Sequence, residues 1–219
     1  MKRVLVTGAA KGLGPVIAER LAREGYSVVS QYRTSSEGLK GSAIRGDFST
    51  PESTRDFIAR YKEEFPGTVG VVNNVGHYIT SSALETSDEE YLELFQANVF
   101  APLQIVRALQ ESLETVVNIG SAGVTHFKSE VFSAAYMMSK QSLYSLTLCL
   151  ARELAPRGVR VNMVSPGIMV NTVEGKERPI PMGRLIELEE VAAQVVHLFK
   201  AECRSVTGQN IEVAGGFKL

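Results

Sequence analysis

The 219-residue sequence predicts an α/β protein built on a doubly wound parallel sheet. Three observations lead there. Short β-branched runs alternate with helical patterns along the whole chain, a glycine-rich loop follows the first strand, and the polar motifs fall at predicted strand ends. With 44% hydrophobic and 21% charged residues the composition is that of an ordinary globular protein with enough chain for a sizeable core. A net charge of -1 with no basic block argues against nucleic acid or an acidic membrane surface as partner. No apolar run reaches the ~18 residues of a membrane span. The first residues, Met1–Thr7, read as a strand rather than a signal or transit segment, and Cys149 and Cys203 lack CxxC spacing. A cytoplasmic protein with reduced thiols is expected, and residues 1–219 read as one domain without linkers or repeats.

Strands are expected at Val4–Thr7, Ser27–Gln31, Ala43–Arg45, Val69–Asn73, Val116–Ile119, Val159–Val164 and Asn210–Val213. Helices are expected at Pro15–Glu24, Pro51–Phe65, Asp88–Leu113, Ser133–Ala155 and Glu187–Lys200. After the first strand comes Thr7-Gly8-Ala9-Ala10-Lys11-Gly12-Leu13-Gly14, opening a helix. Glycines let this backbone turn sharply and approach a pyrophosphate, whose charge then meets helix N-terminal amides. The spacing is Gly-x-x-x-Gly-x-Gly, and no Gly-Lys-Ser/Thr follows, which disfavours a nucleotide triphosphatase. At the end of the second strand an acid would bind the adenosine ribose and repel a 2′-phosphate. Here stand Ser30-Gln31-Tyr32-Arg33, with no carboxylate before Glu37. Arg33 and Lys11 offer two cations to one phosphate, which points to NADP(H) rather than NAD. The stretch from Thr34 to Ala43 is too short and glycine-rich for a full helix, so the crossover there is expected to be shortened. Asp47-Phe48 follows the third strand and is a candidate lining for the adenine, although an Asp there also suits a turn before the N-cap sequence Ser49-Thr50-Pro51-Glu52.

Asn73-Asn74-Val75-Gly76 closes the fourth strand, where side-chain amides tie loops together and shape a cofactor floor. Asn98 interrupts a helical stretch, a costly position unless its side chain has a polar task. Ser121 ends the fifth strand. Tyr136 and Lys140 lie four apart on the next helix, which puts a phenol and an ammonium on one face. A free tyrosine titrates near ~10, and bringing it to about 7 takes roughly 4 kcal/mol. A cation at ~4 Å supplies ~1 kcal/mol in water but ~4 at an effective dielectric near 20. The pair therefore acts only in a partly dried cleft, and a Tyr-x-x-x-Lys by itself is otherwise a surface coincidence.

With Thr7–Gly14, Asn73–Gly76, Asn98, Ser121 and Tyr136–Lys140 in this order, the chain resembles the short-chain dehydrogenase/reductase family, in its single-domain branch of 3-oxoacyl-[acyl-carrier-protein] reductases. The resemblance spans essentially all residues and implies a Rossmann-type sheet. It implies that Tyr136 donates a proton to a carbonyl oxygen and that Lys140 lowers the Tyr136 pKa and holds the nicotinamide ribose. It further implies that Ser121 binds the carbonyl and that Asn98 positions a water leading from Lys140 to solvent. Cofactor contacts are implied at Thr7, Gly8, Lys11, Gly12, Leu13, Gly14, Arg33, Asp47, Phe48, Asn74, Val75, Gly76, Tyr136 and Lys140, with Pro166, Gly167 and Ile168 beside the nicotinamide. Asn171 and Thr172 both stand near the position of the usual threonine after Pro-Gly. A homotetramer or homodimer through the two long central helices is implied as well.

Three departures bear on substrate. The loop Ala122–Ser133, with His126, Phe127, Lys128 and Phe132, is enlarged. The lid, residues 171–184, is short, polar and proline-stiffened, and suits a bulky or carrier-borne acyl substrate. Ala214 stands where an acid usually precedes Gly215-Gly216. His77, His126 and His197 have no metal-ligand spacing, so no metal is expected. The leading expectation is an NADPH-dependent reductase of a small-molecule ketone, a 3-oxoacyl thioester. A pterin or other small carbonyl or imine reductase is the alternative, and an NADPH-binding sensor without turnover is the reading from another class.

Overall fold

A computed structural model describes residues 1–126, 129, 131–173 and 176–218. The chain runs β1 (Arg3–Val6), α1 (Leu13–Arg23), β2 (Ser27–Tyr32), β3 (Ser42–Arg45), α2 (Pro51–Glu64), β4 (Thr68–Asn73), α3 (Asp88–Phe95), α4 (Ala101–Leu109), β5 (Thr115–Ile119), α5 (Ala134–Leu154), β6 (Arg160–Pro166), α6 (Leu188–His197) and β7 (Asn210–Val213). All seven strands pair in parallel in the order β3-β2-β1-β4-β5-β6-β7. The winding reverses between β1 and β4, and the loops leaving their carboxyl ends part there to leave a crevice.

Strand alternation divides the core. Leu5, Val71 and Val116 face one side with Phe57 and Tyr61 of α2, Ile105 of α4 and Leu150 of α5. Val4, Val6, Val72 and Val117 face the other, against Ile17 and Leu21 of α1 and Val191 and Val195 of α6. Thr50 caps α2 and Ser87 caps α3, each in a reciprocal box with the residue three further on. Such caps are each worth ~1 kcal/mol. Between β2 and β3 there is only a turn closed by Leu39 N–H donating to Ser36 O at 3.1 Å, in line with the shortened crossover.

One element differs from expectation. The helix expected at Asp88–Leu113 is two helices joined by a π-helical turn, Gln96–Phe100, and it ends at Leu109. Asn98 lies inside that turn, completely buried, and uses its side chain off the helix axis. A π turn widens the backbone and lets a polar side chain leave the helix towards a neighbour. Pro102 follows, in the first turn of α4, where its missing N–H costs little.

Candidate active site

The glycine-rich loop is held on three sides. Thr7 Oγ1 accepts from Asn74 N–H at 2.9 Å and Val75 N–H at 3.1 Å, and donates to Val72 O at 3.3 Å. Asn74 Nδ2 donates to Thr7 O at 3.0 Å and to Gly8 O at 3.1 Å. The amide of β4's loop thus fastens the loop of β1, as the sequence motif leads one to expect. The third clamp, Gln31, was not singled out from the sequence. Its Oε1 accepts from Gly8 N–H at 2.7 Å and its Nε2 donates to Gly46 O at 2.7 Å, so one buried amide joins the loops after β1 and β3.

The loop fits a dinucleotide phosphate. A Cβ on Gly14 would overlap the Gly8 carbonyl, and Gly8 itself has φ 63, so the close turn demands glycine at both places. Helix α1 begins after Gly12 with no side-chain cap, leaving first-turn amides for an anion. Leu13, in contrast, is a core residue. Lys11 and Arg33 are exposed, and neither has an ion pair among the described residues. Arg45, which sequence reasoning passed over, stands beside Arg33 and donates through Nε to its carbonyl oxygen at 3.1 Å. Asp47 is exposed and its carboxylate accepts from Ser49 N–H at 3.0 Å, a turn-starting role. Phe48 needs correction as an adenine lining. Its ring is buried in the core, edge-on to Phe57 at 5.1 Å between centroids, so it has only backbone to offer.

The second half of the site surrounds a cleft of about 750 Å³ lined by Ser121, Tyr136, Pro166, Gly167, Ile168 and Thr172 among others. Ser121 follows β5, Pro166 ends β6, and Tyr136 projects from the first turn of α5. The Ser121 and Tyr136 side chains are hydrogen-bonded to one another. Lys140, 3% exposed, donates through Nζ to Ile119 O at 2.8 Å and lies 5.8 Å from the Tyr136 ring centroid. Gly76 passes over it, where a Cβ would come within 3.4 Å of Nζ. An ammonium has three protons and Ile119 takes one, so capacity remains for ribose hydroxyls. Asn171 lies towards the glycine-rich loop, its Nδ2 3.2 Å from where a Gly12 Cβ would be. Thr172 is in the cleft wall with Oγ1 accepting from Met169 N–H at 3.0 Å.

Burial pushes Tyr136 up to about 12, against a lowering hydrogen bond from Ser121, and nearby Tyr78 raises it further. Burial likewise pushes Lys140 down to about 8. Desolvation penalises the charged form of both groups. Tyr78 was missed from sequence. Its ring meets Tyr136 edge-on at 4.8 Å between centroids and lines the cleft.

Asn98 stands behind this pair. Its Oδ1 accepts from His77 N–H at 2.8 Å, and its Nδ2 donates to His77 O at 3.0 Å and Ser139 Oγ at 2.9 Å. Ser139 in turn donates to Tyr136 O at 2.7 Å. Both amide protons are thus taken by protein, while Oδ1 keeps one lone pair for a further partner. Of the enlarged loop, Phe132 reaches the cleft, while Phe127 and Lys128 lie outside the described residues, as does Glu174 of the lid. Among the described residues no helix is long and apolar enough to cross a membrane.

A nucleotide cradle at the switch point, opening onto a Ser–Tyr–Lys cleft, defines a dinucleotide-dependent oxidoreductase. Comparison with known proteins sharpens the class. Residues 8–218 match the family model described as enoyl-(acyl carrier protein) reductase. The chain is 32% identical to 3β-hydroxysteroid dehydrogenase 1 of Eggerthella lenta, covering 100% of this chain and 94% of that one. It is 29% identical to a 3-oxoacyl-[acyl-carrier-protein] reductase of Vibrio cholerae over 240 aligned positions, covering 100% of this chain and 98% of the relative. A short-chain dehydrogenase of Burkholderia cenocepacia in complex with NADP superimposes with a TM-score of 0.89 at 30% identity, covering 98% and 97% of the two chains. The chain belongs to the short-chain dehydrogenase/reductase family and is an NAD(P)-dependent oxidoreductase of ketoreductase type.

Proposed function

We propose that this protein reduces a ketone with NADPH, with Tyr136 as proton donor and a 3-oxoacyl thioester as substrate. The observation that carries the reading is the hydrogen-bonded pair Ser121–Tyr136 at the cleft wall with the buried Lys140 amine behind it. NADP(H) is the coenzyme: Lys11 and Arg33 receive the 2′-phosphate, the loop from Thr7 to Gly14 the pyrophosphate, and Asp47 with the Phe48 backbone the adenine side. Asn74, Val75, Gly76 and the segment Pro166–Ile168 flank the nicotinamide half. When bound, NADPH supplies the hydride.

Ser121 and Tyr136 hold the substrate oxygen by two hydrogen bonds, which strengthen as negative charge develops there. The Tyr136 proton then passes to that oxygen. A phenol pushed up to about 12 stays protonated at neutral pH, the form that carbonyl reduction needs and alcohol oxidation does not. Lys140, lowered to about 8, would hold the nicotinamide ribose hydroxyls and is the nearby group able to restore the proton that Tyr136 gives up. Asn98 is a positioning residue: it ties the π turn to His77 and Ser139 and would position the water that leads from Lys140 to solvent.

Exposed Leu92, Phe100, Met138 and Leu148 on α3, α5 and the π turn support a homotetramer or homodimer through these helices. Two free cysteines fit a cytoplasmic setting. The test follows NADPH absorbance against acetoacetyl thioesters, pterins, quinones and steroids. Turnover greatest with the thioester is expected. NADPH binding with no turnover across the panel would leave the sensor reading in its place.

A further inference from the structure

The walls of the cleft come from the Ser121 loop, the start of α5, the segment after β6, and an element that sequence reasoning gave no role: the end of the chain. Phe217 and Lys218 line the same cleft as Ser121 and Tyr136. Following β7 the backbone turns back at once, with Gly215 at φ 59, Gly216 at φ 83 and Phe217 N–H donating to Ala214 O at 3.0 Å. Lys218 has φ 65 and is the one non-glycine residue with positive φ among the described residues. A side chain held in that region signals surroundings that over-determine it, and such residues gather at ligand sites.

The tail touches three walls. Met182 N–H donates to Gly215 O at 3.0 Å, and a Cβ on Gly216 would come within 3.0 Å of the Pro181 ring. The short lid therefore packs on the tail. On the far side the Lys218 stem covers Gly123, two residues after Ser121, where a Cβ would come within 2.9 Å of Lys218 Cδ. Lys218 Nζ also stands 3.9 Å from Sδ of Met137, the neighbour of Tyr136. Gly123 N–H is fixed by Glu212 Oε1 at 3.0 Å, so β7 secures the Ser121 loop just before the tail covers it.

We propose that residues 214–218 form the substrate-selecting wall of this cleft, with Phe217 and Lys218 as specificity-determining residues for a ketone with an apolar body. The proposal rests on the reductase reading above. Phe217 supplies a flat apolar surface, the methylenes of Lys218 extend it over Gly123, and the reacting carbonyl lies between this wall and Tyr136. Neither side chain belongs to the nucleotide cradle, so exchanging them changes which ketone fits and leaves NADPH binding alone.

The test uses the full chain with Phe217→Ala, Phe217→Tyr and Lys218→Gly, the last of which suits the left-handed backbone. NADPH affinity is measured by fluorescence, and kcat and KM are measured for a small aliphatic 3-oxo ester and a bulky aryl ketone. Phe217→Ala and Lys218→Gly are each expected to change the ratio of the two KM values about tenfold, the range a pocket contact controls. NADPH affinity should stay within about twofold and kcat for the better ketone within about threefold, while Phe217→Tyr keeps the wild-type ratio. Should Phe217→Ala fail to fold, Lys218→Gly carries the same comparison. KM values that move together, or not at all, would overturn the selecting wall while the reductase reading stands. Wild-type protein that binds NADPH and reduces neither ketone would overturn that reading and the wall with it.

Discussion

Asn98→Ala removes the group that holds the π turn against the loop after β4. Asn98 is wholly buried, and its amide makes three hydrogen bonds, two of them to the backbone N–H and C=O of His77. Truncation leaves both His77 groups without that partner, whereas Ser139 keeps its bond to Tyr136 O. A buried polar group left unsatisfied costs about 1–3 kcal/mol, so two of them give about 2–6 kcal/mol before any cavity term. For a chain of this size each kcal/mol lowers Tm by about 2–4 °C. The expected loss is then on the order of 10 °C in thermal unfolding followed by circular dichroism. Turnover should fall more than NADPH affinity, because the turn abuts the helix carrying Tyr136 and Lys140 and not the glycine-rich loop. A Tm within about 2 °C of wild type would refute the reasoning, since the π turn would then stand without the amide.

Two further outcomes follow from the site. Arg33→Ala should weaken NADPH binding about tenfold, the loss of one charge-assisted phosphate contact, and leave NADH binding almost unchanged in paired titrations. Equal losses for both would remove Arg33 from the 2′-phosphate. Lys140 gives a pH signature in stability. Its folded value of about 8 lies below the ordinary 10.5, so between these values the unfolded chain binds more protons and stability rises with pH. The penalty is present in full below pH 8, roughly 3 kcal/mol at ~1.4 kcal/mol per unit. Denaturant titrations from about pH 8 to about pH 9, below the range in which ordinary tyrosines titrate, should show wild type gaining stability and Lys140→Met showing a flatter profile. Identical slopes in the two proteins would argue against a buried, desolvated ammonium.

Sequence carried the sheet and the cradle because their signals are local. Apolar alternation marks a strand face, and glycines before an uncapped helix mark a tight anion-binding turn. Asn98 was legible as an anomaly, since an asparagine within a helix asks for a partner. The π turn was not, because a one-residue widening leaves the apolar pattern on either side intact. Phe48 shows the limit of position: the residue at a strand's carboxyl end is near a cofactor, but whether its ring turns to the core depends on Phe57 across the layer. Tyr78, Gln31 and the tail reach the site through tertiary packing from distant parts of the chain, with no spacing to announce them. The Tyr136–Lys140 pair was found by spacing, whereas the Ser121 and Tyr78 side chains that act on the phenol come from other elements and no spacing announces them.

The central claim, a proton donated by Tyr136 in a cleft that binds NADPH independently, meets its most direct test in Tyr136→Phe. The substitution keeps the ring against Tyr78 and removes only the hydroxyl that bonds to Ser121. General-acid contributions of about 10²–10⁴-fold set the scale. The account predicts a fall of that size in kcat for ketone reduction with NADPH affinity within about threefold of wild type. A variant that turns over within about threefold of the wild-type rate would contradict it.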